Sequence, residues 1–402
     1  MMSLAAMNST APSQTRRSAL TAAAFLMATS AIGPGFLTQT AVFTGIHGAD
    51  MAFAILASVL IDIGVQWNVW RVIGVTGLGG PAIAAAIHPA LGTLLSVLVV
   101  FGGFVFNVGN LAGCALGLAI FGVPQGVGAV FSAILAVALL ARPRAMKPLD
   151  VFVQWLGFLM LALTASIMIM SHPDYLLAAR RAILPTELPT GSILTLVGGT
   201  VGGYITFSGA HRLLASGLKG EEAIHDFDSA AIRGILVTAA MRTLLFLAIL
   251  GVLQFATGPL DPVNPAGAAF RLGGGVLGEK FFGLVLWSAA ITSVVGCSYT
   301  SLSFIKGAEQ GVARNAGLVF FIVAALAVFL MVGRPAQLLV WAGGLNGLVL
   351  PLSLGVILIA SRRAAIVGAY VHPLKMTIAG SLAWLASVAI ATFGVVDLLK
   401  RL

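Results

Sequence analysis

Apolar residues run along this chain in long blocks, separated by short joints rich in Pro, Gly or single charges. A helix that crosses a bilayer needs about 17–25 predominantly apolar residues. Eleven stretches satisfy that length, near 19–46, 50–74, 91–121, 124–141, 148–171, 191–216, 232–257, 281–305, 315–333, 335–361 and 377–399. The third and fourth are parted at Gly122-Val123-Pro124-Gln125-Gly126, a Pro-Gln-Gly turn. The first and third are longer than a straight span requires, which predicts a break or a strong tilt.

Two of these stretches are interrupted. The sixth contains Gly198 to Gly217, GGTVGGYITFSGAHRLLASG, where glycines, a Tyr and hydroxyls stand in place of Leu, Ile and Val. Backbone that leaves the helix at membrane depth is tolerated only where it is buried in protein or lines a water-filled cavity. Gly202-Gly203, followed by Tyr204, Thr206 and Ser208, therefore reads as a broken helix with a binding site at the break. The first stretch is interrupted by Ile32-Gly33-Pro34-Gly35-Phe36, and Thr38, Gln39, Thr40 and Thr44 follow. Pro inside a helix removes a hydrogen bond and clashes with the preceding turn. Matched interruptions five spans apart predict two five-helix inverted repeats around a central site. Repeat one covers about 19–171, repeat two about 191–361, and an extra helix lies near 377–399. The breaks are expected near Thr40–Gly45 and Gly202–Ser208.

Composition sharpens the class. Of 402 residues 59% are hydrophobic and 9% charged, against about 25% charged in a soluble domain. The chain reads as an all-α, multi-pass protein of a bacterial-type inner membrane, with a polar tail over 1–18, one transmembrane domain from 19 to 402, and a lipid bilayer as its surroundings. The net charge of +9 is spread singly between spans, so it signals topology and gives no reason to expect a nucleic-acid partner. With the N-terminus inside, Arg16, Arg17, Arg142, Arg144, Lys147, Lys219, Arg233, Lys306, Arg314, Arg362, Arg363 and Lys375 are cytoplasmic. The opposite side, with the C-terminus, keeps Arg180, Arg181, Arg271, Lys280, Arg334, Lys400 and Arg401. The longest outer loops are expected at 172–190 and 258–280. Cys114 and Cys297 lie in apolar spans without metal-ligand spacing and read as buried thiols. No nucleotide-binding motif, catalytic triad or soluble domain is visible, so the chain reads as a secondary transporter and not an enzyme.

The phrases GPGFL at 33–37, FNVGNLAGCALGLAIFGVP at 106–124, GGTVGGY at 198–204 and AAITSVVGCSYTSLSF at 289–304 resemble, in the same order, the natural resistance-associated macrophage protein (NRAMP) family. The resemblance covers nearly the whole chain. It implies the leucine-transporter fold and proton-coupled uptake of divalent transition metals. That family's metal site is an Asp-Pro-Gly-Asn motif in span one and a Met-Pro-His motif in span six. Here span one reads Thr40-Ala41-Val42-Phe43-Thr44-Gly45-Ile46-His47 and span six has Gly202-Gly203-Tyr204. The family's acidic pair in span three falls on Asn107 and Asn110. The chain resembles a bacterial NRAMP-like branch whose genes often neighbour 5-oxoprolinase genes.

A dehydrated divalent cation wants oxygen or sulfur ligands, usually with an anionic member. The two interruptions offer hydroxyls, backbone and amides, but no Asp, Glu, Met or Cys. They offer N–H groups at half-helix N-termini, which favour an anion, and Thr40, Thr44, Gly202, Gly203, Tyr204, Thr206 and Ser208 to hold the rest of a small solute. The leading expectation is ion-coupled uptake of an amino-acid-like carboxylate such as 5-oxoproline. The alternatives are a proton-coupled Mn, Fe or Mg transporter and a non-transporting membrane sensor. No cofactor is expected beyond a coupling Na⁺ or H⁺. Asn107, Asn110, Thr292, Ser293, His47 and His211 are the coupling candidates; in the wider leucine-transporter fold a hydroxyl pair in span eight meets Na⁺, and His titrates near working pH. Asp62 and Arg242 are charges inside spans, where charge is costly and tends to be functional. They are expected to face the interior, either as one buried ion pair, the leading expectation, or each lining a water path. Gln66, Asn68 and Trp70 are expected to be interior helix contacts.

Overall fold

The computed structural model describes residues 32–141, 143–305 and 312–400, without the side chains of 141–154, 312–313 and 394–400. The polar tail, the start of the first predicted span and the orientation residues Arg16, Arg17, Arg142, Lys306 and Arg401 lie outside the described residues. All described elements are helical: α1 (Pro34–His47), α2 (Met51–Thr76), α3 (Gly80–Ile87), α4 (Pro89–Ala119), α5 (Gln125–Ala141), α6 (Pro143–Ser171), α7 (Tyr175–Ile183), α8 (Thr190–Val201), α9 (Ile205–Ala215), α10 (Ile224–Leu253), α11 (Pro265–Leu302), α12 (Val312–Val332), α13 (Pro335–Ala360), α14 (Ala364–Val367) and α15 (Leu374–Lys400). Eight described stretches are long and apolar enough to cross a membrane, nine if Trp155–Ser171 and Tyr175–Ile183, bent by 105°, make one span. That count joins α1 and α2 through the 3₁₀ turn Gly48–Asp50 and leaves out the shorter apolar helix Gln125–Leu140.

Pro and Gly punctuate the helices as the sequence suggests. Pro34, Pro89, Pro265 and Pro335 sit in the first turn of α1, α4, α11 and α13, where their missing N–H costs nothing. The predicted outer loop at 258–280 is corrected: from Pro265 it is helical, and only a non-helical Gly275 kinks it. α7 occupies much of the predicted loop at 172–190, with Asp174 capping the N–H of Leu177 at 2.8 Å.

Two apolar cores flank the middle of the bundle. One is built on α2, α8, α9 and α10, with Trp70, Phe207 and Phe227 fully buried. The other is built on α4, α6, α11 and α12, with Phe270 and Phe282 stacked at 4.8 Å. Lipid tails give helices no hydrophobic reason to associate, so close packing must hold them together. Small residues permit it. A Cβ on Gly198 would strike Gly343 and Gly347 where α8 crosses α13, and one on Gly117 would strike Gly283 and Trp287 where α4 crosses α11. Cys114 and Cys297 are buried free thiols.

The first interruption is placed differently from expectation. α1 is continuous from Pro34 to His47, straight through Thr40–Gly45, and begins at Gly33, whose backbone is extended. The hydroxyls explain the continuity. Thr40 donates to Phe36 O at 2.8 Å and Thr44 to Thr40 O at 2.6 Å, a back-bonding that satisfies a threonine inside its own helix. The second interruption stands where predicted. α8 ends at Val201, Gly202 and Gly203 leave the helix, and α9 restarts at Ile205.

Candidate functional site

The break sits where α1, α4 and α13 close around the joint between α8 and α9. Gly203 has φ +57°, a left-handed conformation that a side chain makes costly. Space is as restrictive as torsion: a Cβ there would run into Asn346 Oδ1 and approach Gly102. Neither Gly203 nor Tyr204 donates its N–H to another backbone group among the described residues, whereas Ile205, Phe207 and Ser208 turn back to Gly202 O or Tyr204 O. These two donors open the N-terminus of a half-helix.

Amide side chains complete the surroundings. Gln39 on α1 donates through Nε2 to Leu339 O at 2.8 Å, and its Oε1, against Gly199, has no partner. Asn346 on α13 donates through Nδ2 to Gly102 O at 3.1 Å and to Ala342 O at 2.8 Å, leaving Oδ1 unpartnered beside Gly203. Asn107 on α4 donates to Ser298 Oγ at 3.0 Å and keeps an unpartnered Oδ1. All three side chains are 0% exposed. A cavity of about 20 Å³, room for about one water, lies between Gly33, Gly35, Phe36 and Gln39 of α1's first turns, Phe106 and Gly109 of α4, Gly199, Leu339 and Ala342. The start of α1 and the end of α8 thus face one small space lined by glycines, apolar side chains and Gln39, while Gly203, Tyr204, Asn107 and Asn346 lie beside it and not in its lining.

The predicted solute residues divide. Gly202, Gly203 and Tyr204 form the break. Tyr204 packs edge-on to Phe106 at 5.8 Å, and its hydroxyl meets Cys297, whose sulfur also faces Gly103 O at 3.1 Å. Thr40 and Thr44 spend their protons on their own helix, as above. Thr206 donates to Val201 O and Ser208 to Ile205 O at 3.2 Å. These four hydroxyls are bound locally and keep only acceptor lone pairs.

The coupling candidates are dispersed. His47 pairs with Ser192 Oγ at 2.8 Å at one end of the bundle. His211 packs against Phe304 with ring centroids 4.9 Å apart, near the other end. Thr292 donates to Ser288 O and Ala289 O at 3.1 and 3.0 Å, and Ser293 is half-buried beside it. Asn110 is buried one turn beyond Asn107.

Asp62 and Arg242 do face the interior, at 1% and 2% exposure, but the expected direct ion pair is corrected. The ion pairs among the described residues are Arg71–Asp228, Arg181–Asp50 and Arg271–Glu279. Arg242 instead donates to Thr200 Oγ1 at 3.0 Å and lies 4.4 Å from the Phe36 ring centroid. Gln66, Asn68 and Trp70 are fully buried, as expected.

Asn346 is the residue the sequence reading missed. Its signal was present: an amide near the middle of an apolar span, set between glycines in WAGGLNGLVLP. Two polar clusters at the ends of the bundle also went unread. At one end Asp50 accepts from the Thr186 hydroxyl, from Thr186 N at 3.1 Å and from Glu187 N at 3.3 Å, with Arg181 3.5 Å away. At the other, Arg71 holds Asp228 in a two-pronged pair, Asn68 holds His372 at 2.9 Å, and Tyr370 joins the two at 3.5 and 3.2 Å.

No group of three or more His, Cys, Asp or Glu side chains among the described residues is placed to hold a metal ion. The groups at the break itself are neutral, with donors from the backbone and acceptors from amides, and the guanidinium of Arg242 lies behind them on Thr200.

Comparison with known proteins gives the ancestry. The chain is 46% identical over 388 residues to the uncharacterized membrane protein YcsG of Bacillus subtilis, covering 96% of this chain and 95% of that protein. It is 46% identical over 368 residues to an uncharacterized membrane protein of Haemophilus influenzae, covering 91% and 92%. Among solved structures, a manganese transporter of Eremococcus coleocola, in complex with an aromatic bis-isothiourea compound, superposes with a TM-score of 0.72 at 18% identity over 97% of this chain and 90% of that one. A nucleobase-cation-symport-1 family transporter in a closed conformation superposes with a TM-score of 0.52 at 16% identity over 92% and 91%. The fold is therefore that of the leucine-transporter type. Residues 24–397 match the natural resistance-associated macrophage protein-like family, and the chain belongs to that family of membrane transporters.

Proposed function

We propose that this transporter carries a small polar carboxylate with its own N–H donors, an amino-acid-like solute of which 5-oxoproline is an example. The observation that carries the reading is the chemistry of the unpartnered groups at the break. Backbone N–H groups of Gly203 and Tyr204 suit a carboxylate at a half-helix N-terminus. The oxygens of Gln39, Asn107 and Asn346 suit a donor on the same solute. Buried polar groups left without partners are costly, so a ligand that satisfies donors and acceptors together is favoured over one that satisfies a single kind. Substrate sites at the broken helices of inverted-repeat transporters follow the same logic.

A second reading, transport of a divalent metal ion, is favoured by the family itself and by the manganese transporter whose fold this chain shares. The three amide oxygens would then be ligands. Against it stands the lack of an anionic or sulfur ligand facing the break: Mn²⁺ would exchange its water for neutral oxygens alone. Cys297, the nearest sulfur, is turned toward Gly103 O and Tyr204.

Calorimetric titration of the purified protein separates the two. The expected result is saturable heat with 5-oxoproline or a related small carboxylate, abolished in Gly203→Val, and none with Mn²⁺. Saturable Mn²⁺ binding with no response to any carboxylate would establish the metal reading instead.

A further inference from the structure

Behind the break lies a second group of unpartnered polar atoms with no part in the solute site. Gly64 of α2 faces α15, where a Cβ would meet Ala379 and Ala383. Asp62 and Gln66, two residues to either side, therefore lie on the opposite face of α2, and Arg242 of α10 approaches Asp62 there. Asp62 Oδ1 and both amide atoms of Gln66 have no hydrogen-bond partner, although both side chains are buried. Arg242 of α10 acts on Asp62 through its charge but spends one nitrogen on Thr200, leaving Nε and Nη2 unpartnered. Five polar atoms of three side chains thus stand unmatched in one buried place.

The electrostatic surroundings of Asp62 are simple. α8 and α13 carry no ionisable residue. On α9, His211 and Arg212 lie at the far end. On α10, His225, Asp226, Asp228 and Arg233 all fall in its first three turns, well before Arg242. On α7, Arg181 belongs to Asp50. On α15, Lys375 lies over the Trp67 ring at 5.8 Å, and Asp397 and Lys400 fall at its other end. His47 of α1 is held by Ser192. Among the described residues, Arg242 is the one charge that reaches Asp62.

A carboxylate and a guanidinium this deeply buried, near each other but not joined, are costly as a fixed structural device, because removal from water is repaid only by close pairing. The same arrangement suits a group that changes its charge. We propose that Asp62 is a proton site that couples transport: its carboxylate gains one O–H bond by taking a proton from one side of the membrane and breaks that bond by releasing the proton to the other side. Gln66 Oε1 is the acceptor for the protonated form. Arg242 stays positive throughout. With Asp62 neutral its charge is uncompensated, and through Thr200, two residues before Gly202, it makes the break more attractive to an anion. Proton and carboxylate then travel together with no net charge. The coupling rests on the carboxylate reading of the site, whereas the protonation of Asp62 itself does not depend on the solute.

The test uses the full-length protein in proteoliposomes, with 5-oxoproline and Mn²⁺ as labelled probes, and compares accumulation driven by an inward proton gradient with exchange at equal pH on both sides. Asp62→Asn is expected to lose gradient-driven accumulation of the transported probe and to keep exchange, whereas Asp62→Glu keeps both. Loss of exchange and accumulation together in Asp62→Asn, with both intact in Asp228→Asn, would reduce Asp62 to a structural residue, and unchanged accumulation would overturn the proposal outright. Infrared difference spectra between acid and alkaline buffer need no solute. A carboxylic-acid band in the wild type should be missing in Asp62→Asn and displaced in Asp62→Glu. If neither probe is transported, the solute assignments fail and this band decides alone: the same band in all three proteins refutes the proton site. If Asp62→Asn does not fold, displacement of the band in Asp62→Glu makes the same decision.

Discussion

Most polar groups in the clusters at the two ends of the helix bundle are partnered and many in its middle are not, although Asp50 Oδ1 has only Arg181 at 3.5 Å and His211 Nε2 has no hydrogen-bond partner. At the ends, Asp50 collects three donors and an arginine, and Arg71 grips Asp228 with Tyr370, His372 and Asn68 behind it. In the middle, Gln39, Asn107 and Asn346 each hold a buried oxygen without a partner, and behind them Asp62 and Gln66 hold further unpartnered oxygens and Arg242 two unpartnered nitrogens. Satisfied clusters fix a structure, while unsatisfied ones are tolerated where function needs them. The ends are therefore expected to govern stability and the middle to govern binding.

The strongest way to break this division is at Gly203. Replacing it with Val imposes a β-branched side chain on a left-handed backbone and drives it into Asn346 and Gly102, so uptake should vanish in a liposome assay while size-exclusion chromatography still shows an intact protein. At the end of the bundle the effect should reverse. Asp228→Ala strands Arg71 without its acceptors and should cost roughly 1–3 kcal/mol of stability, read as a lower thermal midpoint with solute affinity unchanged. Asn346→Ala removes an acceptor from the break and should weaken solute binding by about 1 kcal/mol, a factor of about five.

A pH titration sharpens the contrast further. His372 lies outside the spans, and burial, with help from Arg71 and Arg362, lowers its pKa from 6.5 to about 4. Between those values the unfolded chain binds the proton that the folded chain refuses. Stability is thus full above the unfolded pKa and falls as pH drops from 6.5 toward 4. His372→Gln, which can still bond Asn68, should flatten that part of the melting profile. The smallest effect belongs to Tyr204→Phe. Its hydroxyl is engaged with Cys297, so binding should weaken by no more than about 1 kcal/mol.

Much of this organisation is legible in the sequence, for physical reasons. Span length is fixed by the bilayer, and glycine at 203 permits the left-handed turn that parts α8 from α9. The interior facing of Asp62 and Arg242 follows from the cost of charge in lipid, on the order of 3 kcal/mol or more. Local chemistry misleads elsewhere. Thr40 and Thr44 look like free ligands in a sequence, yet an α-helix offers each a carbonyl four residues back, and both take it. Gly33-Pro34 starts a helix and does not break one further along. The contacts that remained hidden join distant positions: Asp50 with Thr186, Arg71 with Asp228, and the unpartnered oxygen of Asn346 with Gly203. No spacing or period in a single chain encodes such meetings; the packing of α7 against the Gly48–Asp50 turn, of α8 against α13 and of α2 against α10 creates them.

The central claim is that a neutral, amide-lined break receives a small carboxylate in preference to a bare divalent ion. Its most direct test is uptake of labelled 5-oxoproline into proteoliposomes carrying the purified protein, measured with and without excess Mn²⁺. Saturable uptake that Mn²⁺ does not inhibit, and that Gly203→Val abolishes, is the predicted result. Saturable Mn²⁺ uptake that is indifferent to 5-oxoproline and other small carboxylates, and is lost on replacing Asn346 or Gln39, would contradict it.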